Sequence, residues 1–243
     1  MSIRLWIVFL LLSITNTLWG QELPDARELL ERSSTFHDPH GQWETYQAEL
    51  SLKETRPNAQ DRYRTISIDR PGSRTVIFQD LDSLTVLQGL DHGEPIVEIN
   101  GIPGATEKEV RALNLSRNRI TYLHNYYLYL YGLPMKLLTD TEGEILPKVE
   151  QVTLMGEEYW AIDVRYSGVI REHDWRFFFD PTTYALKAYQ FWRRSPTKDG
   201  EFVLLEELET VGGIRHPKVR VWYLNKEKQH IATDILLPES VEQ

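Results

Sequence analysis

The stretch Asn125–Met135, NYYLYLYGLPM, constrains this chain more than any other segment. Tyr126, Tyr127, Tyr129 and Tyr131 are interleaved with Leu128, Leu130, Leu133 and Met135 around Gly132 and Pro134, and no charged residue interrupts them. A helix that is apolar on every side has no face to offer water and must be enclosed. Each enclosed tyrosine hydroxyl then needs a hydrogen-bond partner. Helical spacing puts Ile120, Leu123, Tyr127 and Leu130 on one face and Tyr122, Tyr126 and Tyr129 on the neighbouring one. Gly132 suits a helix end and Pro134 a stop just beyond it. The segment stands between two long runs of β-type sequence, so a helical plug between two halves of a sheet is expected.

The first β run begins with Tyr46, Ala48, Leu50 and Leu52 alternating with Gln47, Glu49, Ser51 and Lys53, the pattern of a half-buried strand. Short strands over 62–69, 74–79, 83–90 and 95–99 follow, joined by turns such as Pro71-Gly72 and Asp91-His92-Gly93. This is the signature of an antiparallel meander. Beyond the tyrosine helix, β patterns recur over 149–154, 159–166, 174–179, 184–194, 202–208, 218–224 and 229–237. About ten or eleven strands are expected in total. Two helix starts are also legible. Asp25 with Glu28 opens a helix whose stripe is Ala26, Leu29, Leu30 and Ser33, and Thr106 with Glu109 opens a polar one. Pro39 forces Asp38 out of helical geometry and ends the first.

A twisted sheet of this many strands curls, and the helices must cover its concave face. The second β run is aromatic in both phases. Trp175, Phe177 and Phe179 point one way and Phe178 the other, while Tyr184, Leu186 and Trp192 are expected to oppose Tyr189 and Phe191. A one-sided sheet would alternate more cleanly. The expected architecture is therefore mainly β (α+β): an open antiparallel barrel or half-barrel wrapped around and capped by helices.

The first 20 residues read as a signal peptide, with Arg4 before the apolar run Leu5–Ile14 and a cut expected before Gln21. The run is short for a membrane anchor. Residues 21–243 then form a single domain, with no later run of membrane-spanning length. The chain has no cysteine, hence no disulfide and no acylated residue at the cut. A net charge of −9 disfavours nucleic acid and anionic membrane surfaces as partners.

Several marks resemble a known group of proteins: His37-Asp38-Pro39 followed by Trp43, Asn125-Tyr126-Tyr127 through Tyr131-Gly132-Leu133-Pro134-Met135-Lys136, Asp180-Pro181 with Thr183-Tyr184, Tyr189-Gln190-Phe191, and Trp222-Tyr223. Together they resemble an uncharacterised family of exported Gram-negative proteins related to the lipoprotein-localisation-factor (LolA/LolB-like) superfamily. The resemblance implies an unclosed β-barrel capped by helices, an apolar cavity that takes acyl chains, and a periplasmic location.

No catalytic motif is present, and neither a metal nor a cofactor is expected. The function to expect is non-catalytic binding of a lipid or other hydrophobic ligand. Tyr122, Tyr126, Tyr127, Leu130, Met135, Trp175 and Phe177 are the candidate wall, and His37 or Asp38 a polar rim for a headgroup. Two alternatives stay open. One is an envelope module that binds other proteins; the other is a metal-dependent hydrolase using His37, Asp38 and His40, three potential ligands within four residues. The plainer reading of that trio is a helix-ending turn that hydrogen-bonds the chain.

Overall fold

The computed structural model describes residues 23–81, 83–166, 173–194, 197 and 199–238. The signal segment read at 1–20 lies outside them. Helix α1, Ala26–His37, leads into a 3-10 turn at Trp43–Thr45. A first meander follows: β1 Gln47–Thr55, β2 Arg62–Asp69, β3 Arg74–Asp80, β4 Thr85–Asp91, β5 Glu94–Ile99 and β6 Ile102–Pro103. Three helices come next, α2 Glu107–Ala112, α3 Arg117–Gly132 and α4 Met135–Thr139. The second β half comprises β7 Gly143–Ile145, β8 Glu150–Leu154, β9 Glu157–Tyr166, β10 His173–Phe179, β11 Leu186–Arg193, β12 Gly200–Val211, β13 Ile214–Leu224 and β14 His230–Leu236.

Among the described residues all the strands join one antiparallel sheet of 14, ordered β6-β5-β4-β3-β2-β1-β14-β13-β12-β11-β10-β9-β7, with β8 also pairing β9. The two meanders meet where β1 pairs β14, with Leu52 opposite Leu236 and Glu54 opposite Asp234. The edges at β6 and β7 do not meet, so the barrel stays open. The sheet has more strands than the ten or eleven expected, because pieces as short as β6 and β7 carry too few residues to show a period of two.

Both helix starts form as expected. Asp25 Oδ1 accepts from the Glu28 N–H at 2.8 Å, and Thr106 with Glu109 makes a complete capping box. The main core lies on the concave face. It joins Leu29 and Leu30 of α1, Tyr127 to Tyr131 of α3, and the inward phases of the strands: Leu50 and Leu52, Ile66 and Ile68, Phe177 and Phe179. All-round enclosure of α3 holds only from Tyr127 onward. Tyr122 is half exposed and Asn125 faces solvent. At its C-terminal end α3 lies so close to the turn before β1 that a Cβ on Gly132 would collide with the Trp43 indole.

The expected split of β11 is corrected. An irregularity in register falls where Phe178 is opposite Ala188 and Phe179 opposite Leu186. It brings Leu186 onto the same concave side as Tyr189, with Tyr184 and Phe191 packed against that core. Phe178 and Ala188 join Ala161 in a small cluster on the outer face.

Candidate ligand-binding site

A cavity of about 660 Å³ opens between α3 and the sheet. Its residues come from the last residues of β1, β11 and β13 and the first of β2, β10, β12 and β14. In an antiparallel sheet those ends are all at one end of the barrel. The apolar wall is the flank of the main core: Trp175 and Phe191 from β10 and β11, Trp222 from β13, and Ile231 and Ala232 from β14. Trp175 packs on Phe191 and Phe177 with ring centroids 4.9 Å and 5.9 Å apart. Across from them α3 presents Tyr122, Leu123, Tyr126, Tyr127, Tyr129 and Leu130. Tyr122 stacks on Tyr126 at 5.9 Å, two positions one helical turn apart.

Two of the α3 tyrosine hydroxyls find partners within the fold, as an enclosed helix demands. Tyr127 accepts from Arg64 Nη1 at 3.0 Å. Tyr129 and Tyr166 share a hydroxyl–hydroxyl bond of 2.9 Å. Burial raises the Tyr126 hydroxyl well above its usual pKa. Tyr189, below the cavity on β11, is buried with its hydroxyl unpartnered among the described residues. Close to it on β13 lies Arg220, 2 % exposed, its guanidinium 4.4 Å from the centre of the Tyr131 ring. Its Nη1 donates to the Pro217 carbonyl at 3.2 Å, while Nε and Nη2 have no partner among the described residues.

Charge gathers at the open end. Glu54 reaches Arg64 at 2.8 Å and Arg62 at 2.9 Å. Asp234 accepts from Trp222 Nε1 at 2.8 Å, and burial raises its carboxyl pKa. Arg119 stacks 5.1 Å above the Tyr122 ring. On the far side Arg193 lies 3.9 Å from Glu201.

Of the residues singled out from sequence, Tyr122, Tyr126, Tyr127, Leu130 and Trp175 stand in this wall. Phe177 and Met135 lie behind it in the packed core. His37 and Asp38 are not at the cavity rim. They sit at the other end of the barrel, where α1 closes it. His37 is fully buried. Its Nε2 accepts from the Leu186 N–H at 3.0 Å, which leaves Nδ1–H to donate to the Arg215 carbonyl at 2.6 Å. Burial lowers its pKa to about 4. The Asp38 carboxylate accepts from the Gln42 and Trp43 N–H groups, both at 2.8 Å, and so caps the 3-10 turn. With both ring nitrogens of His37 engaged and His40 exposed, the trio does not converge. Among the described residues no group of three His, Asp or Glu side chains is placed to hold a metal ion. Tyr46 and His216 complete the closed end through a 2.9 Å bond, and burial lowers the His216 pKa to about 3.

Sequence reasoning passed over Glu54, Arg62, Arg64, Arg220 and Asp234. The available signal was phase. Glu54 continues the inward series Leu50, Leu52; Arg64 precedes Ile66 and Ile68; Asp234 precedes Leu236. A charged residue in an apolar phase close to a strand end marks a polar interior or an opening.

Fold and cavity together define the class: an unclosed antiparallel half-barrel wrapped on helices, with a hollow at one end. A LolA superfamily protein from Nitrosomonas europaea has this fold, with a TM-score of 0.51 at 8 % identity over 88 % of this chain and 91 % of that one. A DUF1329 family protein from Desulfovibrio piger gives 0.48 at 9 % identity, covering 89 % and 94 %. A putative outer membrane lipoprotein-sorting protein domain from Vibrio parahaemolyticus gives 0.46 at 7 % identity, covering 87 % and 88 %. In sequence the chain belongs to DUF6503, a family of unknown function, which it matches over residues 4–239. No curated protein matches it. Among the described residues no helix is long and apolar enough to cross a membrane.

Proposed function

We propose that this protein is an exported, single-domain carrier that binds one lipid-like amphipathic molecule between α3 and the sheet, without catalysing a reaction. The observation that carries this reading is the hollow itself. It holds about 660 Å³, within the usual range of roughly 300–1,000 Å³ for small-molecule sites, and its walls are core aromatics left uncovered at one end of the barrel. A soluble protein seldom leaves such aromatic surface facing a void without a guest. Burying apolar ligand surface there contributes about 25 cal/mol per Å² before ordering costs. Tyr122, Tyr126, Tyr127, Leu130 and Trp175 form the contact wall in this reading, joined by Phe191 and Trp222. The LolA-like fold supports it, since that resemblance implies a cavity for acyl chains.

The test is uptake of a fluorescent fatty acid, read by energy transfer from the tryptophans. Saturable binding at one site per chain, displaced by unlabelled lipid, supports the proposal. A signal no larger than that of an unrelated globular protein refutes it.

A further inference from the structure

The cavity mouth has a charge opposite in sign to the chain that carries it. The protein is net −9, yet Arg56, Arg62, Arg64 and Arg119 all border the hollow on the side of β1, β2 and α3. Two carboxylates face them, Glu54 and Asp234, directly opposite one another on paired strands. Four guanidinium groups against two carboxylates leave an excess of positive charge.

The arginines form a graded series. The Arg64 side chain is 16 % exposed and Arg62 32 %, and Arg56, just past the end of β1, stands in solvent. Glu54 is shared between the inner two, and Arg62 Nη2 has no aligned hydrogen-bond acceptor among the described residues. Among the described residues neither Arg56 nor Arg119 forms an ion pair with a carboxylate; Asp234 feels Arg56 only at longer range, and Arg119 stacks on Tyr122. Burial lowers the Arg62 pKa; Glu54 raises it in part, while repulsion from Arg64 and Arg56 adds to the lowering. Such crowding of like charge costs stability unless an anion relieves it.

We propose that the guest carries an anionic headgroup, a carboxylate or a phosphate, which docks among Arg56, Arg62 and Arg119 at the mouth while its apolar part runs inward between α3 and Trp175. This rests on the carrier reading and deepens it by naming the headgroup. Guanidinium is the side chain best suited to both anions, because its planar fork donates two parallel hydrogen bonds. The negative net charge elsewhere keeps the protein off anionic surfaces and leaves this mouth as the local attractive feature.

The experiment compares ligands of equal chain length by displacement of a fluorescent fatty acid. Palmitate is set against hexadecanol, and lysophosphatidic acid against monoacylglycerol. Each anion should bind about tenfold or more tightly than its neutral counterpart, the scale of a charge-assisted hydrogen bond. The advantage should shrink on raising salt, and in the Arg56→Ala/Arg119→Ala variant it should fall to about threefold or less. Both residues lack ion-pair partners, and circular dichroism checks that the variant is folded. The larger of the two ratios identifies a carboxylate or a phosphate source. Equal binding of acid and alcohol, or an advantage unchanged in the variant, overturns the headgroup assignment and leaves the carrier reading standing. Failure of all four ligands to bind overturns both.

Discussion

Lengthening the guest one methylene at a time probes the hollow directly. A water-sized group takes about 30 Å³, so 660 Å³ has room for roughly 20 heavy atoms, one acyl chain of sixteen to eighteen carbons with its headgroup. Each methylene moved from water to the aromatic wall contributes about 0.8 kcal/mol, close to fourfold in affinity. Ordering the chain offsets part of this, so about two- to fourfold per methylene is the expected range. In a series of saturated acids from ten to twenty carbons, affinity should therefore climb until the hollow is full and then level off. Calorimetric titration measures this below the critical micelle concentration of each acid, and the binding heat capacity should be negative and grow with chain length. Affinity that does not change between ten and sixteen carbons, or a heat-capacity change near zero, would refute the claim that the chain is buried in this cavity.

Two further outcomes concern the closed end of the barrel. Replacing His37 by Ala removes the partner of the Leu186 N–H and of the Arg215 carbonyl and leaves a hole, together costing about 4 kcal/mol; urea unfolding should show a matching drop in midpoint, and a loss under about 1 kcal/mol would contradict the clamp. The acid dependence follows from His37 and His216, whose folded pKa values of about 4 and about 3 lie below the ordinary 6.5. Between those values the unfolded chain binds more protons, so stability at neutral pH is lost as pH falls below 6.5, by up to about 1.4 kcal/mol per pH unit for each ring. Imidazole resonances in nuclear magnetic resonance should stay those of the neutral rings down to pH 5; titration of either ring near 6.5 would contradict the assignment.

The elements that repeat were the legible ones. Alternation at Tyr46–Lys53 marked β1, the Thr106–Glu109 box marked α2, and Gly132 with Pro134 marked the end of α3. The β1–β14 pairing that joins the two meanders left no local trace, because strands far apart in sequence pair through the global curl rather than through a turn. The inward set of β11 was misread because an irregularity in register changes its phase, and no residue type announces such a shift. In the candidate site, the aromatic half was visible as residues too apolar for a surface. The polar half was not, because His37 and Asp38 are conspicuous in a local motif while the charged lining is dispersed along the chain. Those residues are occupied by backbone groups, and the arginines that do line the cavity come from β2, α3, β11 and the turn after β1.

Native mass spectrometry of protein purified without detergent tests the carrier reading most directly. The account predicts a population heavier than the bare chain by the mass of one acyl-containing molecule, displaced by added fatty acid and absent after delipidation. A single species at the mass of the bare chain that stays unshifted when fatty acid is supplied would contradict it.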